Sequence, residues 1–519
     1  MMQRGCAFVF AVAVCGWAAQ ALAQQTSEGT TASETQNPLS EIDWMKSVLH
    51  TPSPATPTQP QQTTEPQVAT SAAIADVTVT PLGGNTAPTI GLLPATVTGL
   101  PKDLWQASNS ARLSGLIEQI GVPQFPAIQD LMRLLILAEA AAPTDASTDQ
   151  VFLLARIDAL VRMGSLEAAF ALAARAQPVT PQVFQRRMDI GLLTGQEQAL
   201  CDLWRDTPGL RPQTDLRVFC LARQQDWVAA SLTLDTAKAL DQITPVDARL
   251  LAAFLDPEME QTEPPKIASH QLTPLQFRVL EAIGHPRPTR GLPLPYAASD
   301  LRQNSGWKAR LEAAERLGRS GALPDNQFLG IFTEKTPSAS GQIWDRVEAI
   351  QRLEAAVRAR DPSAVNTHLP PAMDILEPAG LLVPVARLFA ETLGGLPLGP
   401  TAKSAALRLG YLSPAYETIA IEDPAPSFRK SLAQGTPQDA TATTAVERAI
   451  VAGFTTPPAA RAAAMIKDGH LGQAILTAVL AIEPAGDGDI TGLAAGLSVL
   501  RAVGLEDYAR RTALQVLLL

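Results

Sequence analysis

The sequence has 519 residues, a formal net charge of −10 and an aromatic content of 5%. Its length allows more than one hydrophobic core. Its acidic balance, with a pI near 5.2, argues against nucleic acid as a partner and against adhesion to anionic lipid. The apolar residues are mainly alanine and leucine, which favour packed helices over a β-sandwich, so we predict an all-α fold.

Residues 1–23 have the pattern of a secretory signal peptide. Arg4 supplies the positive charge, residues 7–17 form an apolar stretch, and Ala21 and Ala23 form an A-x-A cleavage site. We predict cleavage after Ala23, a periplasmic or secreted protein, and no stable membrane insertion afterwards. The alternative is that the segment is retained as an N-terminal anchor, although its apolar stretch is short for a membrane span.

Residues 24–75 are predicted to be a disordered tail, because residues 51–70 consist largely of Thr, Pro, Ser and Gln. One segment, 39–49, has apolar residues at helical spacing and is predicted to form a short amphipathic docking helix. The candidate docking residues are Leu39, Ile42, Trp44, Met45, Val48 and Leu49. Two docking surfaces remain open for this helix: the protein's own helical body or a partner protein.

Residues 76–102 are apolar but rich in Gly, Pro and Thr, which predicts an extended strap lying along a neighbouring surface. Any strand is expected near residues 77–79 at most. The helical part is predicted to begin at residues 103–105.

Residues 103–255 are predicted to be helical repeats. Short helical segments alternate with turns at Gly164, Gly195 and Gln225, which are separated by 31 and 30 residues. A period of this length is typical of stacked helix hairpins. Trp204 and Trp227 are expected to point inward as core residues.

A second feature of these repeats is the placement of small residues after each turn. Gly164 is followed by Ala169, Ala176 and Pro181, and similar sets recur near the C-terminus. Those sets are Gly469, Ala474 and Ala481, then Gly504, Ala509 and Ala513. The pattern resembles a degenerate tetratricopeptide repeat over about a third of the chain. The resemblance implies an α-solenoid of stacked hairpins and a binding role, without specifying a ligand.

The rest of the chain is divided by proline and polar residues. We predict a Pro-rich connection at 256–300, a helical region at 301–420, a linker at 421–443 and C-terminal helical repeats at 444–519. The two connections are either domain boundaries or irregular links within one superhelix. The first helix of the 301–420 region is expected over residues 301–317.

Cys201 and Cys220 are the only cysteines after the signal peptide, and an even pair in an exported protein predicts a disulfide. They lie at nearly equal distances from a turn near Leu210. In an antiparallel helix pair, such residues lie at the same height.

The sequence shows no complete catalytic or cofactor-binding motif. Ser427 and Lys430 fit an S-x-x-K motif without its partner elements, and the five histidines lack metal-ligand spacing. Asp487 and Asp489 cannot complete a calcium loop, and Asp489 is expected instead to cap a helix starting at Ile490. We therefore predict no enzymatic activity, no cofactor and no metal.

The function favoured by the sequence is that of an exported scaffold or adaptor that binds another periplasmic or envelope protein. The alternative is an enzyme or enzyme accessory in peptidoglycan or polysaccharide handling. Carboxylates converging in a deep pocket would favour the enzyme. A groove lined by mixed polar and apolar residues would favour the scaffold.

Overall fold

The computed structural model describes residues 89–146, 150–207, 209–210, 212–256 and 263–519. The predicted signal peptide at 1–23, the tail at 24–75 and the start of the strap lie outside the described residues. So does the predicted docking helix with its residues Leu39, Ile42, Trp44, Met45, Val48 and Leu49.

The fold is all-α, as predicted: the described residues form 25 α-helices and two strands of two residues each. The first helices and strands are β1 Thr89–Ile90, α1 Ala95–Thr98, α2 Ser110–Ile120, α3 Pro126–Leu137, β2 Ala140–Ala141, α4 Val151–Arg162, α5 Leu166–Ala174, α6 Pro181–Thr194, α7 Glu197–Asp206, α8 Thr214–Arg223, α9 Trp227–Ala239 and α10 Pro245–Leu255. The middle helices are α11 Pro274–Ala282, α12 Ala297–Asp300, α13 Trp307–Arg319, α14 Asp325–Thr333, α15 Ile343–Arg358, α16 Pro362–Leu376, α17 Leu382–Gly394 and α18 Pro400–Leu412. The last helices are α19 Tyr416–Glu422, α20 Phe428–Ala433, α21 Ala445–Thr455, α22 Ala460–Lys467, α23 Leu471–Ile482, α24 Leu493–Ala502 and α25 Glu506–Leu518.

The turns between α4 and α9 lie where the 30-residue period placed them. Gly164, Gly195 and Gln225 have φ values of 80°, 81° and 67°. This left-handed conformation ends a helix and reverses the chain, and glycine adopts it without strain. Each helix from α4 to α10 packs against the next one along the chain. We call these seven helices the hairpin array.

The prediction of an extended strap at 76–102 is wrong in part: Thr89–Ile90 form the strand β1, but Ala95–Thr98 form the short helix α1. β1 pairs antiparallel with β2, so that Thr89 lies opposite Ala141. The amides of Leu92 and Leu93 both donate to the carbonyl of Leu137, at 2.8 and 2.9 Å. The strand expected near residues 77–79 lies outside the described residues. The prediction that any strand is confined to those residues is wrong, because Thr89–Ile90 and Ala140–Ala141 form strands.

Arg156 on α4 attaches the strap to the helices. Its guanidinium group donates to the carbonyls of Ile90, Ile136 and Ala138, and the side chain is buried. Burial lowers the pKa of Arg156 to about 10. One buried arginine thus satisfies three backbone acceptors from two segments of the chain, the strap and the end of α3.

Three predicted helix boundaries are wrong. Residues 103–105 form turns, and the first long helix begins at Ser110. The helix expected over 301–317 begins only at Trp307. Asp489 does not cap a helix at Ile490, because its carboxylate accepts from Thr491 and α24 begins at Leu493.

The helices nearest the two ends of the described chain pack against each other. α23 lies on α2, and α25 lies on α3. At the first contact the amide of Gly472 donates to the carbonyl of Leu104 at 3.0 Å, and the Trp105 ring fills the space that a Cβ at position 472 would need. We call the contacts of α2 and α3 with α23 and α25 the closing seam.

The Pro-rich connection does not separate two bodies. The described residues form one unit by their contacts. The hydroxyl of Ser299 donates to the carbonyl of Leu193 on α6 at 3.0 Å, and α11 packs on both α6 and α10. Of the two interpretations left open by the sequence, these contacts favour an irregular link within one structure.

Candidate functional site

The predicted disulfide is present: Cys201 on α7 is bonded to Cys220 on α8, with their Cα atoms 5.2 Å apart. Both residues are buried. The side chain of Gln224 donates to the carbonyl of Cys201 at 2.9 Å, which adds a hydrogen bond beside the crosslink. The bond ties neighbouring helices of the hairpin array and has no ligand-binding geometry of its own.

The closing seam is held by a partly buried charge cluster around Asp130 on α3. Its carboxylate contacts three guanidinium groups, from Arg133 at 2.6 Å, Arg387 at 2.6 Å and Arg511 at 2.7 Å. Burial opposes ionisation of Asp130, but the three guanidinium groups outweigh it and hold its pKa below the ordinary value. One carboxylate thus joins α3 to α17 and α25.

Two glutamines extend the seam. The Oε1 atom of Gln515 accepts from the amide of Ala127 at 2.9 Å. Gln124 donates through its amide to Glu483 at 2.8 Å and through its side chain to Asp487 at 3.0 Å. Burial raises the pKa of Glu483 to about 7. Asp487, considered above as part of a calcium loop, therefore contributes to chain closure.

A cleft of about 490 Å³ opens beside this seam, and we call it the seam cleft. It lies where the turn before α3, the end of α13 and the start of α17 meet. Its lining is mixed in polarity. It is formed by Val122, Gln124, Pro126, Gln129, Leu294, Arg316, Arg319, Ser320, Glu377, Gly380, Leu382, Val383 and Leu519. The volume lies in the range of pockets that bind small molecules or a few residues of a peptide.

Two arginines contribute the cleft's positive charge. Arg316 donates to the carbonyls of Thr289 and Leu292 at 2.8 and 2.7 Å, and Arg319 donates to the carbonyl of Ala379 at 2.9 Å. Burial lowers the pKa of Arg316, and the neighbouring charge of Arg319 lowers it further. Each of these hydrogen bonds uses one N–H of a group that has five, so guanidinium donors remain for a ligand.

Among the described residues, Glu377 is the one carboxylate side chain that lines the seam cleft. Arg408 contacts both of its oxygens, one of them at 2.7 Å. These hydrogen bonds hold the pKa of Glu377 below its ordinary value. Glu377 is therefore ionised and already paired, which makes it a poor general acid.

Gln129 is the cleft's buried polar side chain, with 5% of its surface exposed. Its Nε2 atom donates to the carbonyl of Pro123 at 2.8 Å, whereas its Oε1 atom has no partner among the described residues. A buried acceptor without a donor is unfavourable by about 1–3 kcal/mol. A ligand N–H or O–H would satisfy it.

A row of carboxylates runs across the hairpin array. Asp158, Asp189, Asp215 and Asp247 lie on alternate helices, α4, α6, α8 and α10. Burial raises the pKa of Asp189 to about 7, and the carboxylates of Asp215 and Asp158 act in the same direction. The pocket beside Asp215 and Asp247 measures only about 10 Å³, room for about one water molecule.

The outer surface of α9 is apolar. The exposed fractions are 50% for Trp227, 81% for Val228 and 67% for Leu232. We call these three residues the α9 face. The inward position expected for Trp227 is therefore wrong, because Ala230, Leu234 and Ala237 occupy the buried side of the helix. Trp204 is half-buried and packs against the core as expected.

The isolated motif residues have local roles. The Ser427 hydroxyl accepts from the amide of Lys430, capping α20, and the Lys430 ammonium group donates to the carbonyl of Asp423. His470 contacts the Ser108 hydroxyl at 3.2 Å across the seam. Within the described ranges, no group of three or more His, Cys, Asp or Glu residues is placed to hold a metal.

Sequence reasoning missed the seam cleft entirely, because its residues come from separate stretches of the chain and form no local motif. The sequence around the arginines of α13 does not indicate that they line a cleft either. Glu312 and Glu315 precede Arg316 and Arg319 by four residues, the spacing of ordinary ion pairs along a helix. In the structure Glu315 pairs with Arg346 instead, which leaves Arg319 to the cleft.

No helix in the part of the chain that the structure describes combines the length and hydropathy needed to cross a membrane. Comparisons of the chain with known protein families, with characterised proteins and with solved structures found no match.

Proposed function

We propose that this chain is an exported, non-enzymatic helical-repeat scaffold that binds another protein of the cell envelope. The signal pattern at 1–23 is the reason for placing it in the periplasm or outside the cell. The tetratricopeptide-like arrangement is part of the proposal. Its support is the left-handed turn at Gly164, Gly195 and Gln225, with each helix packed on the next.

The seam cleft is the observation that carries the proposal. Its lining combines apolar side chains with amides and guanidinium groups, which suits recognition of a peptide better than bond cleavage. Hydrolysis by paired carboxylates needs a free acid and a free base. The cleft offers Glu377 as its carboxylate side chain, and that group is bound by Arg408.

The α9 face gives the proposal a second contact surface. Exposed aromatic and aliphatic residues grouped on one helix are typical of protein–protein interfaces, with Trp strongly enriched among hot-spot residues. A scaffold with a cleft and a separate apolar helix face could hold one partner at two points.

Site-specific photo-crosslinking in the native envelope tests the proposal. A photoreactive amino acid is placed at Val122 in the cleft mouth, at Leu232 on the α9 face, or at Ile421 as a matched control. Ile421 is 75% exposed and lies on α19. The proposal expects one discrete adduct with the same protein from Val122 or Leu232 and none from Ile421. Identical adduct patterns from all three positions would contradict it.

A further inference from the structure

We infer that the seam cleft binds a free carboxylate that directly follows an amide N–H and an apolar side chain, the chemistry of a peptide C-terminus. The inference rests on the proposed binding function and names the ligand chemistry of its cleft. Three features of the lining carry it: a positively polarised end, an unpaired buried acceptor and an apolar wall.

The positive end combines two arginines with a helix N-terminus. Leu382 and Val383 line the cleft and are the first two residues of α17, a helix of 13 residues. The amides in a first helical turn have no intrahelical acceptor and carry the positive end of the helix dipole. No side chain caps α17, and its first turn has no acidic residue. The described residues therefore place no anion at this helix end, and the amides of Leu382 and Val383 are the donors it offers.

The carboxylates around the cleft are not paired with the two arginines of this positive end. Arg316 and Arg319 make no ion pair with any carboxylate in the described part of the chain, including the terminal carboxylate of Leu519, which also lines the cleft. Glu377 is engaged by Arg408. Asp300, whose negative charge also acts on Arg316, is engaged by a threonine hydroxyl. Guanidinium groups bind carboxylates through paired N–H donors, so a ligand carboxylate is the anion that fits Arg319 best.

Gln129 distinguishes a peptide C-terminus from a simple anion. Its Oε1 atom is a buried acceptor without a partner among the described residues, and a carboxylate cannot donate to it. The last peptide N–H of a chain lies on the same residue as the terminal carboxylate, so a peptide C-terminus carries both a donor for Gln129 and an anion for the positive end. An anion without a proton, such as sulfate, would leave Gln129 unsatisfied.

The remaining wall of the cleft is apolar and therefore favours an apolar side chain on the last residue of the ligand. Val122, Pro126 and Leu294 face the cleft together with Leu382 and Val383. A volume of about 490 Å³ accommodates two or three residues of a peptide. A terminal leucine or valine would bury its side chain there. The same chemistry occurs in a partner's C-terminus and in a free N-acylated amino acid.

Fluorescence anisotropy with the mature protein, tagged at its N-terminus because Leu519 lines the cleft, tests the inference. The probes are a labelled hexapeptide ending in Ala-Leu with a free carboxylate, the same peptide with a C-terminal amide, and N-acetyl-leucine as competitor. The acid peptide should bind at least about tenfold more tightly than the amide, because the amide lacks the negative charge that the guanidinium group binds.

Substitutions of residues that line the cleft test whether the peptide binds there. Arg319→Gln should weaken binding of the acid peptide about tenfold, and Arg319→Lys should weaken it less, because the charge remains while the paired donors are lost. Arg358→Gln is the matched control, since Arg358 is 74% exposed on α15 and outside the cleft. Gln129→Met, which removes the acceptor, should weaken acid and amide peptides alike. Thermal melting establishes that each variant is folded.

Equal binding of acid and amide peptides, no binding of either, or full binding by Arg319→Gln would overturn the inference. If N-acetyl-leucine competes as well as the unlabelled hexapeptide, the carboxylate chemistry stands and the partner's C-terminus is overturned as its source. Failure of the peptide to bind can be distinguished from failure of the proposed scaffold function. Adducts from Leu232 without peptide binding would leave the scaffold and remove only this ligand.

Discussion

The hairpin array and the closing seam are stabilised by different interactions, apolar contacts in the array and a charge cluster in the seam. In the array, helices adjacent along the chain pack through small and apolar residues such as Ala169, Leu172 and Ala173, all fully buried. The seam instead joins Asp130 to Arg387 and Arg511, across 257 and 381 residues of chain. Apolar contacts are individually replaceable, whereas a charge cluster removed from water becomes unfavourable when one member is lost. The array should therefore tolerate apolar substitutions that conserve volume, whereas the seam should not tolerate the loss of a charged group.

The largest effect should follow from breaking the seam at its centre. Asp130→Asn leaves three guanidinium groups partly buried without their carboxylate, and this should lower the free energy of unfolding by about 3–5 kcal/mol. Chemical denaturation measures the change. Asp206→Asn is the control, because Asp206 is 69% exposed beside Arg205 and should change stability by less than about 1 kcal/mol. Equal losses of stability from Asp130→Asn and Asp206→Asn would mean that the charge cluster of the seam contributes no more than a surface ion pair.

Within the array, the largest single contribution should be the disulfide. Replacing Cys201 and Cys220 together with serine opens a loop that spans 19 residues and should lower stability by about 3 kcal/mol. The loss should be similar in an Asp130→Asn background, since the disulfide and the cluster share no residues. A double-mutant cycle by denaturation checks this. A coupling above about 1 kcal/mol would mean that array and seam unfold together through shared contacts.

The array also contains carboxylates whose burial opposes folding at neutral pH, and Asp189 is the clearest. Its pKa is raised to about 7, above the value of 3.8 for an unfolded chain, so folding favours the protonated form. Its contribution is fully present below pH 3.8 and is lost as the pH rises through 7. Asp189→Asn should therefore stabilise the protein at pH 8 by about 1–3 kcal/mol and change little at pH 4, as measured by denaturation at both values. Asp374→Asn, an exposed control on α16, should not stabilise the protein at pH 8.

The smallest effect is expected at the α9 face. Leu232→Ala should change the free energy of unfolding by less than about 0.5 kcal/mol, because the side chain is 67% exposed. Leu234→Ala, two residues along the same helix, removes a buried side chain and provides the matched contrast. A comparable loss from both would mean that Leu232 is covered within the protein, and the face would no longer be available to a partner.

Sequence reasoning succeeded where the determinants are local. A left-handed turn needs one glycine at the right place, so Gly164 and Gly195 could be assigned from their spacing alone. The pairing of Cys201 with Cys220 followed from their distances to one turn. It failed for Trp227, because two faces of α9 carry apolar residues and spacing alone does not tell which one is buried.

The seam and its cleft could not be predicted, for a physical reason. Asp130 resembles any helix residue until the fold brings arginines to it from distant segments. The Oε1 atom of Gln129 lacks a hydrogen-bond partner only because the fold buries it away from water. A polar residue's role depends on which partners reach it, and a single sequence does not contain that information.

Closure of the chain at the seam is the central claim, and an engineered crosslink tests it most directly. A Cβ atom at position 469 would lie 3.7 Å from the Cβ of Ala107, within the range of a disulfide. Gly469 has a φ of 80°, so thermal melting of Gly469→Ala first measures the cost of a side chain at this turn.

Ala107→Cys combined with Gly469→Cys should give an intramolecular disulfide, detected by peptide mapping under non-reducing conditions. The pair Ala107→Cys with Ala239→Cys, on the exposed side of α9, should give none. Crosslinking of the first pair within single, folded chains is the expected result. Absence of that crosslink, or equal crosslinking of both pairs, would contradict the closed arrangement.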